Sequence, residues 1–363
     1  MPTAPVLVAK ADMQRGERFT INGVNVAPGE RLTTDLNVTR LYTHTAVTMP
    51  VHVVNGRHTG PHLFVSAAMH GDELNGVEII RRLLKLPALK RLHGVLIAVP
   101  VVNVHGLIHH SRYLPDRRDL NRSFPGSREG SLTARLAWLF MEEIVKNSTH
   151  GVDLHTGALH RSNLPQIRAH LDDAETLRLA KAFQVPVLLN SELRDGSLRQ
   201  VAAEQGIPLL LYEAGEALRF DEVAIRAGLR GIVGVMRALE MLPSSKSHRR
   251  SPIEPVIARS SSWVRAPESG ILRVTIPLGA RVRRDAPLGM ISDPFGEREF
   301  ILTAPTDGIV IGRTNLPLAN EGDALFHIAR FGKTREAAAL VEEFNSETLD
   351  EVAPIVGEEP PIV

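Results

Sequence analysis

Between residues 61 and 241, short apolar runs alternate with stretches of helical periodicity. The runs at 63–68, 94–102, 185–189 and 207–212 are short and show little polar alternation, so they read as strands buried on both faces. The stretches at 74–84, 132–144, 172–183 and 221–241 carry apolar residues at helical spacing, Leu74, Val77, Ile80, Leu83 and Leu84 in the first of them. Such alternation restricts the chain to an α/β fold whose mainly parallel or mixed sheet has helices on both faces. Two further strands, at 38–42 and 46–54, are predicted to join it from the N-terminal side.

Open α/β sheets bind ligands at the carboxyl ends of their strands. Here three apolar stretches end on groups that bind metals or move protons: His70 with Glu73, then His155, then Glu213. His70 and Glu73 lie three residues apart at the start of a helix and can turn towards one point. His155 would complete a His2Glu shell, the three-ligand set of a catalytic zinc with one open position. The chain has no cysteine, which excludes disulfides, thiolate ligands and a Cys nucleophile and leaves metal binding to imidazoles and carboxylates. Glu213, rather than its neighbour Glu216, directly follows its strand and is placed to act as general base and then to protonate a leaving amine.

From 103 to 130 the chain is polar and lacks apolar periodicity, and a loop of that length is usually functional. Arg122 beside Asn121 offers a planar fork for a substrate carboxylate. Either Arg112 or Arg117 would stabilise charge on a scissile carbonyl. His160, Arg161 and Asn163 follow the third ligand closely and read equally as pocket lining or as a plain polar loop.

A formal charge of +1 gives no reason to expect nucleic acid or an anionic membrane as partner. No apolar run reaches the length of a membrane span, and residues 1–17 lack the order of a secretory signal, so a cytoplasmic protein is expected. The oligomeric state, a homo-oligomer included, is left open.

Five segments are expected. Residues 1–50 form a β segment joined to the catalytic domain at 51–242, and a polar linker follows at 243–258. In 259–332, Ala266-Pro267-Glu268-Ser269-Gly270-Ile271 returns as Ala304-Pro305-Thr306-Asp307-Gly308-Ile309, the mark of a small β-sandwich or barrel built from a duplicated unit. The pattern resembles the lipoyl/biotinyl barrel-sandwich domains. No Lys occurs between the two halves, so shape without carrier function is expected. Residues 333–363 read as an acidic helical tail.

Four motifs occur in order: His70-Gly71-Asp72-Glu73, Asp119-Leu120-Asn121-Arg122, Asp153-Leu154-His155-Thr156-Gly157 and Glu213-Ala214-Gly215. In these the chain resembles the succinylglutamate desuccinylase/aspartoacylase family of zinc-dependent deacylases, relatives of the zinc carboxypeptidases. The resemblance implies a zinc-carboxypeptidase-like catalytic fold and one Zn2+ per chain held by His70, Glu73 and His155. It further implies Glu213 as general acid/base and Asn121 with Arg122 on the substrate carboxylate. The carbonyl-polarising arginine of that family has its counterpart in Arg112, which sits two residues further upstream than the family's pattern. The implied reaction is hydrolysis of a small N-acyl amino acid, of acetyl or succinyl type, to a carboxylate and a free amino acid. The same inner shell would also serve a zinc carboxypeptidase acting on peptides, or a metal-binding protein without turnover. Pocket shape decides which acyl group and amino acid fit, and that is not legible in the sequence.

Overall fold

The computed structural model describes residues 14–191, 193–244, 255–258 and 260–352, with side chains as far as residue 346. Its centre is a mixed sheet built on four parallel strands: β3 (His58–Ala67), β4 (His93–Val99), β5 (His150–Gly157) and β8 (Leu209–Glu216). Before them in the chain come β1 (Arg31–Arg40) and β2 (Ala46–Asn55), and β2 runs antiparallel along β4. Between β5 and β8 come β6 (Arg161–Ala169) and β7 (Val187–Asn190). β6 lies antiparallel to β8 and parallel to β7.

Because neighbouring residues of a buried strand point to opposite faces, the central strands feed two apolar cores. Val65, Ala67, Leu154 and Tyr212 join helices α1 (Asn75–Leu83), α3 (Ala174–Ala182) and α5 (Glu222–Ala238) on one face. Phe64, Ile97, Val99 and Leu209 join α2 (Leu132–Phe140) and α4 (Leu198–Glu204) on the other. Gly76 sets the approach of α1, since a Cβ there would stand 2.7 Å from the Cβ atoms of both Ala67 and Leu154. Arg81 and Arg82 end α1 where its macrodipole favours cations.

Some of the C-terminal strands join this sheet and others form a sheet of their own. β9 (Val256–Ala258) pairs with β7, inside the stretch read as linker; residues 245–254 of that stretch lie outside the described residues. β10 (Ser260–Arg265), β11 (Gly308–Thr314) and β12 (Ala324–Arg330) extend the main sheet, because β11 hydrogen-bonds to the first residues of β6. A separate four-stranded sheet, including Gly270–Val274 and Pro287–Ser292, packs beside them. Both copies of the sequence repeat bury their first residue: Ala266 and Ala304 are buried, and their N–H groups donate to the Asp323 and Ala286 carbonyls. Helix α6 (Thr334–Val352) follows, packing Ala337, Val341 and Phe344 inward. Among the described residues no helix is long and apolar enough to cross a membrane.

Candidate metal centre and active site

The carboxyl ends of β3, β5 and β8 bring the sequence candidates to one edge. β3 leaves the sheet through Ala68, whose positive φ of 48° is costly for a residue with a Cβ and is the kind of strain that collects at functional sites. His70 and Glu73 follow, and Glu73 N–H donates to the His70 carbonyl at 3.1 Å. Asn75 ties this turn to the end of β8. Its Nδ2 donates to the Ala214 carbonyl at 3.2 Å and its Oδ1 accepts from Asp221 N–H at 3.0 Å.

His70, Glu73 and His155 are all buried, and one ligand atom of each lies within 4.8 Å of the other two. Nδ1 of His70 sits 2.7 Å from Glu73 Oε1, and Nδ1 of His155 sits 2.8 Å from Glu73 Oε2. The far nitrogens are occupied by other carboxylates: His70 Nε2 by Asp119 at 3.1 Å, His155 Nε2 by Asp153 at 2.7 Å. Ser66 in turn donates to Asp153 at 2.7 Å. A carboxylate behind each imidazole fixes the ring and its tautomer and leaves Nδ1 to a metal. The donor set, its burial and these outer carboxylates fit a divalent cation such as zinc.

Electrostatics tie the group together. Burial opposes charge on all three residues, but Glu73 is nevertheless held well below the usual carboxylate range by His70 and His155. Against the same burial, Glu73 and Asp119 raise His70, while Asp153 and Glu73 raise His155.

Around this centre the other candidates fall into place unevenly. Arg112 reaches it: Nη1 is 3.3 Å from Glu73 Oε1, while Nε and Nη2 donate to Asp119 Oδ2 at 3.1 and 2.8 Å. Arg117 is exposed on the loop. Asn121 is buried, and its Oδ1 accepts from Leu198 N–H at 2.9 Å, while among the described residues its amide N–H groups have no acceptor. Arg122 bonds through Nη1 to the Asn121 carbonyl; burial and the nearby Arg194 and Arg112 push its guanidinium down. Glu213 stands directly across from His155 in the parallel β8–β5 pair. Glu216 instead braces the turn that connects β5 to β6, accepting from His160 N–H at 3.1 Å and Asn315 Nδ2 at 2.8 Å.

Three contributors were not singled out from the sequence, and a fourth, Asn163, read equally as pocket lining or as a plain polar loop. Asp119 and Asp153 entered only as motif members, although Asp153, two residues before His155 on a strand, necessarily shares its face. Arg168 and Asn163 lie on β6, in a segment that reads as loop, and both contact Glu213.

A buried His–Glu–His donor set at the carboxyl edge of a mixed α/β sheet defines a hydrolase-type domain with a candidate metal centre. The succinylglutamate desuccinylase/aspartoacylase catalytic-domain profile matches residues 59–239, and the chain belongs to that family. The N-alpha-acetyl-L-2,4-diaminobutyric acid deacetylase of Halomonas elongata is 30% identical over 298 residues, covering 78% of this chain and 86% of the deacetylase. A succinylglutamate desuccinylase/aspartoacylase from Rhodobacter sphaeroides superposes with a TM-score of 0.74 at 26% identity, over 83% of this chain and 96% of its own. The product-bound ectoine utilization protein EutE (DoeB) from Ruegeria pomeroyi shares the fold, with a TM-score of 0.73 at 24% identity over 83% and 95% of the two chains. As a member of a deacylase family, the chain is classed as a hydrolase of amide bonds.

Proposed function

We propose that the chain is a zinc-dependent amidohydrolase that removes an acyl group, of acetyl or succinyl type, from a small N-acyl amino acid. The observation that carries this reading is the placing of Glu213 directly across from His155, which sets a spare carboxylate beside the His70–Glu73–His155 group. The Halomonas relative, a deacetylase of an N-acetylated amino acid by name, supports the same class of reaction.

Held by those three residues, zinc supplies Lewis acidity and lowers the pKa of water towards neutrality. The remaining work belongs to side chains. Arg122 and the Asn121 amide N–H groups bind the substrate's free carboxylate and fix its orientation. Arg112 donates to the acyl oxygen as negative charge gathers there. Glu213 takes a proton from the attacking water and delivers it to the amide nitrogen, so the C–N bond breaks to a carboxylate and a free amine.

The test is a mass-spectrometric screen of zinc-loaded protein against N-acetyl and N-succinyl amino acids and short peptides, with and without chelator. Chelator-sensitive loss of one acyl group is expected. Release of C-terminal residues from the peptides, with every acyl amino acid untouched, would move the chain to carboxypeptidase chemistry.

A further inference from the structure

Glu213 is gripped from one side only. Asn163 Nδ2 donates to its Oε2 at 3.2 Å, and Arg168 Nε lies 2.8 Å from the same oxygen as an ion pair without hydrogen-bond alignment. Among the described residues nothing bonds to Oε1. Both partners come from β6, and a register shift in the β6–β8 pairing lets them reach one carboxylate. Glu213 stands opposite Gln166, two residues before Arg168, whereas Gly215 stands opposite Asn163.

The orientation of Asn163 is chemically fixed. An ionised carboxylate only accepts, so the amide must present its N–H group to Glu213 and turn Oδ1 the other way. Oδ1 is buried without a hydrogen-bond partner, and it faces Gly312 on β11, the residue paired with Asn163. A Cβ at Gly312 would stand 2.7 Å from that oxygen and 3.3 Å from the His327 Cβ. Gly312 is thus the floor under the Asn163 amide, and it comes from the C-terminal β-domain, about 150 residues further along the chain.

We infer that Asn163 and Arg168 are positioning residues that hold Glu213 through Oε2 and leave Oε1 to move the proton. Gly312 in turn makes the C-terminal β-domain part of that positioning, by leaving room for the Asn163 amide. The inference rests on the reading of Glu213 as proton carrier proposed above. It assigns the C-terminal strands a role at the reaction centre through the pairing of Gly312 with Asn163.

Gly312→Ala is relieved most cheaply by moving the Asn163 amide, which is the end of a side chain, so the fold survives while the grip on Glu213 is lost. The experiment is a double-mutant cycle of Asn163→Ala and Gly312→Ala, with Arg168→Met, Arg168→Lys and Glu213→Gln measured alongside. Zinc content and thermal midpoint are followed throughout, and the substrate is the panel member that wild type hydrolyses fastest.

Asn163→Ala, Gly312→Ala and Arg168→Met are expected to lower kcat about 10- to 100-fold at unchanged zinc content and nearly unchanged KM, the effect of a misplaced catalytic group. The double variant should be no slower than Asn163→Ala alone, because Gly312 acts through that side chain. Arg168→Lys should recover part of the loss. A crystal structure of Gly312→Ala should show the Asn163–Glu213 contact lengthened beyond hydrogen-bonding distance. Additive losses in the cycle, or wild-type kcat in Asn163→Ala while Glu213→Gln is inactive, would overturn this inference and leave Glu213 in its role. Wild-type kcat in Glu213→Gln would remove that role, and this inference with it.

Discussion

Asp153 and His155 stand two residues apart on one face of β5, and Asp153 Oδ2 lies 2.7 Å from His155 Nε2. The strand's own geometry therefore sets the imidazole: a two-residue repeat aims both side chains the same way, and Ser66 on the adjoining β3 holds the carboxylate from behind. Asp153→Asn keeps the shape but removes the charge that fixes the ring's tautomer. Zinc affinity is expected to fall about 10- to 100-fold, the usual cost of losing an outer-shell carboxylate. Competition with a chromophoric chelator measures it, and excess zinc should restore most of the activity. An unchanged affinity would mean that Asp153 serves only to fill the core.

Glu213→Gln separates metal binding from proton transfer. Glu213 makes no hydrogen bond or ion pair with His70, Glu73 or His155, so zinc content should stay at the wild-type level. Loss of a general acid–base typically costs about 10²- to 10⁴-fold, and kcat should fall within that range. A variant that lost its zinc instead would place Glu213 among the metal's supports.

The parts of this protein visible in its sequence are those with a local signature. The end of β3, most of β4 and the start of β8 are largely apolar runs because both of their faces feed a core, and α1 and α5 show their buried stripe. β6 escaped for the opposite reason: Arg161, Asn163, Gln166 and Arg168 make its pattern polar, since one face of that strand carries Asn163 and Arg168 to Glu213 while Ile167 and Ala169 enter the core. The extension of the sheet through β11 was equally hidden. It depends on backbone hydrogen bonds between Arg161–Asn163 and Gly312–Thr314, and pairings between distant segments leave no periodic trace. The His70, Glu73, His155 and Glu213 positions were legible because each follows a short apolar run, although His155 and Glu213 themselves lie within β5 and β8. Arg112 could be separated from Arg117 only by the fold of the loop.

That separation makes a direct comparison. Arg112 spans Asp119 with two nitrogens and stands within 3.3 Å of Glu73, whereas Arg117 is exposed. Arg112→Met should lower kcat about 10²- to 10³-fold, as removal of an oxyanion donor does, and Arg117→Met should leave it unchanged. Arg112→Lys should rescue little, since an ammonium cannot span the carboxylate as a planar fork does. Equal losses at the two positions would point to bulk charge at the pocket mouth as the cause.

Away from the site, the seam between α1 and α5 sets a pH limit on stability. Arg82 donates to Glu78 at 2.6 Å within α1 and, through two nitrogens, to Glu222 on α5 at 2.7 and 2.8 Å. Hydrogen bonds from Arg81, then from Arg82, against some desolvation, push Glu78 down to about 2. An unfolded glutamate titrates near about 4.3. The folded state thus binds the proton more weakly, and Glu78 stabilises it fully only above the unfolded value. That contribution drains away as pH falls from about 4.3 towards 2. Glu78→Gln should therefore unfold more easily than wild type at pH 7, by about 1 kcal/mol since the pairs are partly solvated, and the gap should close on acidification. Urea titrations at pH 7, 5, 4 and 3 follow the difference. A gap that stays constant across that range would assign the loss to packing of the side chain, not to its charge.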